Sequence, residues 1–232
     1  MVNKQAIAII PARGGSKRLP GKNIISFLGI PMIARTIKAA KDSKLFDRII
    51  VSTDDEKIAE VSREYGAEVP FLRTEKADDH SPVSQATLFA LMQAEKHFAE
   101  NYEIVVQLMA NCPLRDSGDI VNAYNNFAAS KADFQISCFR YGFMNPWWAA
   151  TLDDKGHAKK IFTQIGENER SQDLPKLYCP TGAIWIAKSA ALKQAGTFYG
   201  NNYTMYPLLW EKAVDIDDAD DLKLALALAA TK

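Results

Sequence analysis

Short apolar runs rich in β-branched residues alternate along this chain with longer segments whose apolar positions recur at helical spacing. Residues 6–10 are apolar throughout and stopped by Pro11, which predicts a buried strand. Residues 31–42 put Met32, Ile33, Ile37 and Ala40 on one helical face, and residues 48–52 read as a second buried strand. Residues 54–65 predict a helix with an acidic first turn, closed by Gly66. A third helix is expected over 84–100, from the stripe Leu88, Leu91, Met92 and Ala99. A third strand follows over 103–109, a fourth helix over 116–130 and a fourth strand over 134–139. This alternation predicts βαβ units and an α/β fold with a mostly parallel sheet. From about residue 140 to 180 the rhythm breaks into a stretch rich in aromatic, Pro, Gly and charged residues, read as an inserted hairpin lobe, a lid or a dimerisation arm. It resumes with strands expected at 183–186 and 213–216 and helices at 188–194 and 218–230.

Composition narrows the function classes. The 232 residues are 47% hydrophobic and 24% charged, a globular balance that fits one large domain over 1–232 with the 140–180 stretch as its excursion. Lys+Arg and Asp+Glu are 28 each, so a protein working through a general basic face is disfavoured. Cys112, Cys138 and Cys179 are far apart and show no metal spacing, which suits a reducing cytoplasm better than a disulfide framework. The first residues lack the long apolar stretch of a signal peptide, and no segment reaches bilayer-spanning length. A soluble cytoplasmic protein without membrane or nucleic-acid partners is therefore expected. His80, His97 and His157 share no triad or metal spacing and are expected at the surface.

The most informative stretch is Ile9-Ile-Pro-Ala-Arg-Gly-Gly-Ser-Lys-Arg-Leu-Pro-Gly-Lys-Asn23. It directly follows a strand, holds Arg13, Lys17, Arg18 and Lys22 with no acid among them, and interleaves glycines. Ligands of open α/β sheets bind at the carboxyl ends of the strands. Glycines let backbone N–H groups approach phosphate oxygens and cations neutralise them, so the loop fits a polyphosphate. It is not a Walker loop, since five residues separate Gly15 from Gly21 and Asn23 follows Lys22, and it lacks GxGxxG. Near the other end, Asp215 and Asp217 alternate, so on a strand both would face one side. Paired carboxylates suit Mg²⁺, which keeps waters and bridges to phosphate oxygens. Asp218, Asp220 and Asp221 are expected to cap a helix, and Asp54 and Asp55 likewise.

The loop resembles the N-terminal signature of the acylneuraminate cytidylyltransferases, the CMP-sialic acid synthetase family. The likeness continues in order through Phe46-Asp-Arg-Ile-Ile-Val-Ser-Thr-Asp-Asp55, Gly66-Ala-Glu-Val-Pro-Phe-Leu-Arg73, Cys112-Pro-Leu-Arg115, Arg170-Ser-Gln-Asp-Leu-Pro175, Gly182-Ala-Ile-Trp-Ile186 and Asp215-Ile-Asp217. It implies a Rossmann-like nucleotidyltransferase fold with a small inserted dimerisation lobe, and a homodimer. The implied reaction is transfer of CMP from CTP to the anomeric hydroxyl of a nonulosonic acid, a nine-carbon 2-keto sugar acid, with release of pyrophosphate. By the same resemblance, Arg13 and Lys22 stabilise phosphate charge. Ala12, Gly14, Gly15, Ser16, Lys17, Asn23, Arg73, Ser84 and Asn111 lie on the nucleotide side. Met109, Arg115, Arg170, Gln172 and Trp185 lie on the sugar side, and Asp215 and Asp217 hold Mg²⁺. Asp215 or a metal-bound water is left to take the sugar proton.

The chain departs from the family pattern on the sugar side. Met109 stands where the family carries a sugar-facing glutamine, Cys179 where it carries arginine and Trp185 where it carries tyrosine. Asn145-Pro-Trp-Trp148 replaces the region of an expected lysine, with Trp147 and Trp148 suited to a sugar wall or a dimer contact. Two other readings remain open: the same fold acting on another sugar acid such as Kdo, and a non-catalytic nucleotide-sugar-binding protein.

Overall fold

A strand covered on both sides needs apolar residues at every position rather than at alternate ones. Strand β1 (Ala6–Pro11) meets that demand, with all six residues buried. It runs parallel to β2 (Arg48–Ser52) on one side and to β3 (Ile104–Gln107) on the other, so that Ile9 faces both Ile50 and Gln107. The computed structural model describes residues 5–74, 82–166, 169–170 and 172–231. Its main sheet adds β4 (Phe134–Arg140), β5 (Tyr178–Lys188) and β6 (Tyr203–Leu208), in the order β6-β4-β5-β3-β1-β2. Only β5 runs against its neighbours β3 and β4; β6 pairs with β4 in parallel. The expected mostly parallel α/β sheet is present.

Helices cover both faces. Ala6, Ala8 and Ile10 of β1 pack with Ile33 and Ile37 of α1 (Met32–Ser43) and Ile120 of α4 (Ser117–Ala129), beside α2 (Glu56–Glu64). Ile7 and Ile9 point the other way, toward Leu91 of α3 (Val83–Phe98) and Leu192 of α5 (Ser189–Ala195). The two-residue alternation of a strand thus feeds two separate layers. The last helix, α6 (Ala219–Ala229), packs Ala225 against Phe27, Met32, Leu114 and Ile216.

Two strand expectations need correction. Residues 213–216 form no strand. They run as an extended loop between a short turn at Trp210–Lys212 and α6, with the Ile216 amide donating to the Asn111 carbonyl at 2.9 Å. The sheet instead gains β6, whose aromatic, mostly exposed sequence and Pro207 carry no buried-strand signal; both features are those of an edge strand. Strand β5 is also longer than the four residues expected, and it bulges. Ile136 faces Trp185 while Cys138 faces Pro180, so Ser137 alone stands opposite residues 181–184. Its hydroxyl donates to the Thr181 carbonyl (3.0 Å) and accepts from the Ile184 amide (2.9 Å).

The 140–180 excursion contains a turn at Pro146–Trp148 and an exposed two-stranded hairpin pairing Ala150–Leu152 with Ala158–Lys160. Trp147 anchors it, with its indole N–H on the Pro175 carbonyl (2.9 Å) and its ring centroid 4.9 Å from that of Phe162.

The turn into β6 has no room for a side chain at Gly200, because a Cβ there would run into the ring of buried Phe134 on β4. Gly200→Ala should therefore lower stability by about 1–3 kcal/mol. A shifted urea midpoint checks this; an unchanged midpoint would show that the edge yields freely.

Candidate active site

The loop after β1 is held by contacts to the segment that follows β2 and by contacts within itself. The Ala12 amide donates to the Ser52 carbonyl at 2.9 Å, carrying the β1–β2 pairing one residue past the strand. The Gly14 amide then donates to Asp54 Oδ1 (2.9 Å). A Cβ on Gly14 would lie 2.6 Å from Asp55 Oδ2, so only glycine fits there. Asp55 caps α2 through the Ile58 amide (3.1 Å). Of the two expected caps, Asp55 acts as one and Asp54 holds the loop. The Ser16 amide turns back onto the Gly14 carbonyl, and Gly21 takes a left-handed φ of 66° to start the turn Lys22–Ile24. Buried Asn23 donates its amide to the Arg13 carbonyl at 2.9 Å, tying the two ends of the loop together.

Across the crevice stands the acidic pair. Asp217 accepts from Lys22 Nζ (2.8 Å) and from Arg18 Nη2 (2.5 Å), so the basic loop closes directly onto it. Arg18, one of the four cations of the loop, is thus engaged with an acid rather than free at the surface. The Asn111 side-chain amide, just past the end of β3, donates to Asp215 Oδ1 and to the Ile216 carbonyl (3.0 Å), and approaches Asp217 Oδ1 at 3.4 Å. The carboxylates therefore converge although they stand on a loop, not a strand. Asp218 caps α6 in a reciprocal box with Asp221, whose Oδ2 also accepts from the Asp217 amide (2.9 Å) and fixes that residue's backbone.

The two acids differ in how tightly they hold a proton. Burial is the main influence on Asp215 and the neighbouring Asp217 charge adds to it, raising its pKa to about 6. Burial also works against charge on Asp217, but the hydrogen bonds and charges of Lys22 and Arg18 outweigh it and hold that carboxyl below its ordinary value. Arg73, buried beside the loop with its amide on the Thr53 carbonyl (2.7 Å), is pushed below its ordinary value by burial; Asp54 resists and Arg13 assists.

The crevice is lined by Arg13, Ser16, Lys17, Arg18, Lys22, Asn23, Met109, Asn111 and Asp217, with Pro11 and Leu19. Asp215 adjoins it through Asn111. Other expected site residues lie elsewhere. Ser84 is buried in α3, where its Oγ accepts from the Phe198 amide. Trp185 is buried against Phe198 and Tyr199, with its indole N–H on the Thr181 carbonyl (2.8 Å). Arg115, expected on the sugar side, is instead a buried cation donating to Ala183 O and to Thr36 Oγ1 (2.8 Å). Arg170 and Gln172 are exposed in the excursion, Arg170 pairing with Asp173 at 2.8 Å. His97 and His157 are exposed as expected, and His80 lies outside the described residues. Sequence reading missed Gly182, whose Cβ would come 2.7 Å from Met109 Cγ and 3.5 Å from Asp215 Oδ2. Its signal was the glycine inside a strand pattern, which marks a bulge or close approach.

Among the described residues no group of three or more His, Cys, Asp or Glu forms a metal site. Two converging carboxylates are still a fitting donor set for a hard divalent cation that draws its remaining ligands from phosphate oxygens and water.

A crevice with cations on one wall and paired carboxylates on the other suits the handling of a phosphate-bearing substrate, and sequence comparison identifies the family. The profile of the cytidylyltransferase family matches residues 7–202, a stretch that includes the basic loop, Met109 and Asn111. This chain belongs to the cytidylyltransferases. Within them it is similar to the enzymes that make CMP-activated sialic-acid-like sugars. It is 34% identical to a pseudaminic acid cytidylyltransferase of Campylobacter jejuni subsp. jejuni serotype O:23/36, over 96% of this chain and 95% of that one. It is 34% identical to a CMP-N,N'-diacetyllegionaminic acid synthase of Legionella pneumophila, over 94% and 93%. It is 36% identical to an N-acylneuraminate cytidylyltransferase of Streptococcus agalactiae serotype III, over 93% of this chain and 51% of that longer one. The fold is that of a CMP:2-keto-3-deoxy-manno-octonic acid synthetase solved with CTP, at a TM-score of 0.73 and 16% identity over 98% of this chain and 99% of that one. No helix among the described residues is long and apolar enough to cross a membrane.

The raised Asp215 gives this cytidylyltransferase a stability signature. Its folded pKa of about 6 exceeds the ordinary 3.8, so the folded state holds the proton more tightly than the unfolded chain. The penalty is absent below about pH 4, where both states are protonated, and grows as pH rises to about 6. Asp215→Asn should thus be more stable than the parent at pH 7, by on the order of 1–3 kcal/mol, with the gap closing toward pH 4. Chemical denaturation without divalent metal at both pH values checks this; a gap that does not change with pH would contradict it.

Proposed function

We propose that this chain transfers CMP from CTP to the anomeric hydroxyl of a nonulosonic acid and releases pyrophosphate. The observation that carries this reading is the closure of the Arg18–Lys22 loop onto Asp217, beside the buried Asp215. In the reaction a bond forms between the sugar oxygen and the α-phosphorus, and the bond from that phosphorus to the β-phosphate bridge breaks. The hydroxyl proton must leave as this happens. Arg13 and Lys22 neutralise phosphate charge, which is the greater part of what such a transfer asks of a protein. Gly14, Gly15, Ser16 and Lys17 shape the loop around the triphosphate, and Ala12, Asn23, Arg73 and Asn111 flank the nucleotide. Asp215 or a water held by the metal is left to take the sugar proton. Asp215 and Asp217 are the residues that would hold Mg²⁺, which would supply positive charge against that developing on the phosphate.

The acceptor lies on the Met109 side of the crevice. A thioether stands there in place of an amide, so the reading favours a pseudaminic- or legionaminic-like acid over N-acetylneuraminate. The test is pyrophosphate release with CTP and Mg²⁺ against N-acetylneuraminate, ketodeoxynonulosonate, pseudaminate, legionaminate and Kdo, with ATP, GTP and UTP as nucleotide controls. Release with CTP and one nine-carbon acid is expected, falling roughly 10²–10⁴-fold in Asp215→Asn while the fold persists. Release with Kdo alone would move the chain to the sibling activity. CTP binding without turnover for any acceptor would support a binding protein instead.

The same reading makes the chain one domain with the 140–180 excursion as a dimerisation arm, working in the cytoplasm. Phe143, Met144, Leu152 and Ile161 are all exposed there, Phe143 at 92%. Such a concentration of exposed apolar side chains marks an interaction surface. Sedimentation at micromolar concentration should show a dimer that Phe143→Asp with Leu152→Asp converts to monomer. A monomeric parent would remove the arm from the reading.

A further inference from the structure

Arg115 is the most deeply buried cation of the crevice neighbourhood, and no carboxylate pairs with it among the described residues. Burying an unpaired charge is unfavourable by several kcal/mol unless its donors are well used. Its two terminal nitrogens reach three separate elements, while Nε has no hydrogen-bond partner among the described residues. Nη2 donates to Thr36 Oγ1 on α1 (2.8 Å), and Nη1 donates to the Ala183 carbonyl within the β5 bulge and lies 3.5 Å from the Met109 carbonyl past the end of β3. The Thr36 hydroxyl passes the restraint on, since it reaches the Met109 carbonyl at 3.3 Å and that of Ala110 at 3.5 Å.

The bulge explains why a cation is used. Where Ser137 stands opposite residues 181–184, backbone groups of β5 lose their regular ladder partners. Ser137 Oγ serves Thr181 and Ile184, while the Ala183 carbonyl is served by Arg115. A buried carbonyl left unpaired is unfavourable, and guanidinium can reach several acceptors from one rigid plane. The bulge in turn brings Gly182 against Met109, close to Asp215.

We propose that Arg115 is a positioning residue: it clamps the exit of β3 to the bulge of β5 through Thr36, and so sets the Met109–Gly182 wall against which the acceptor sugar lies. It touches neither substrate. This rests on the reading that the acceptor occupies the Met109 side, so the test carries one readout that needs no acceptor.

Arg115→Met keeps the volume and removes the donors, Arg115→Lys keeps charge without the planar fork, and Thr36→Val removes only the hydroxyl relay. The acceptor KM should rise at least tenfold in Arg115→Met and Thr36→Val and stay raised in Arg115→Lys, while the KM for CTP stays within twofold of the parent. Hydrogen exchange should quicken in segments 105–112 and 180–186, with CTP-induced protection of the loop 12–24 unchanged. If Arg115→Met fails to fold, Thr36→Val decides. Equal rises in both KM values, or an acceptor KM that does not move, would overturn the proposal. A parent that turns over no acceptor would sink the functional reading; faster exchange confined to the two segments would then still support the clamp, and unchanged exchange would end it.

Discussion

The contact of Lys22 and Arg18 with Asp217 joins residues 195 and 199 positions apart, and the rest of the site is arranged around it. Four cations in one loop repel one another, and two acids in one loop do the same. Each group is tolerable near the other because their charges offset. Sheet and helices bring the two ends of the chain to one place: β1 delivers the loop at its carboxyl end, and α6, packed on Phe27 and Met32, fixes the loop that carries the acids. Neither half would keep its geometry alone. The partition of charge follows from the same contact. Asp217 has two cations on it and stays ionised, whereas Asp215 has an amide and apolar burial and is pushed toward the neutral form. Two carboxylates two residues apart thereby acquire different chemistry.

Most of the fold was legible because its strands are short, apolar and punctuated. β1 ends at Pro11, α2 is followed by Gly66 at a φ of 87°, and α4 is opened by a reciprocal Asp116–Asp119 cap. Residues 213–216 misled for a physical reason. Val214 and Ile216 alternate with acids as a half-buried strand would, yet what they bury against is α6 and the loop near Leu114 rather than a sheet neighbour. β6 escaped notice for the opposite reason: an edge strand with tyrosines outward lacks the pattern that burial imposes. Period-two patterning reports which side is covered, and it does not report what supplies the hydrogen bonds.

The basic loop of the candidate site was legible for a related reason. It draws its residues from one continuous stretch, and its glycines and cations are all visible together. The wall opposite is assembled from pieces: Met109 past the end of β3, Gly182 in a bulge of β5, Asn111 reaching to a loop a hundred residues later. No local pattern contains them. Arg115 shows the difficulty most plainly, because the same residue type serves as a ligand for an anionic sugar or as an internal brace, and only its surroundings decide. Here those surroundings are three oxygens, of Ala183, Met109 and Thr36.

This division bears on how one fold comes to act on different sugar acids. The wall formed by the basic loop, proposed to meet phosphate, is constrained by charge and by the absence of room for a Cβ at Gly14, so its freedom to vary is small. The wall built around the β5 bulge is constrained only in its backbone, through Arg115, Thr36 and Ser137. Side chains projecting from that wall, Met109 above all, stand on a braced frame and are free to change in polarity without loosening it. Met109, a thioether where the family resemblance implies an amide, stands over the buried brace and on the proposed function is a change of that kind. It alters what the crevice can hydrogen-bond while leaving where the acceptor must sit to the frame.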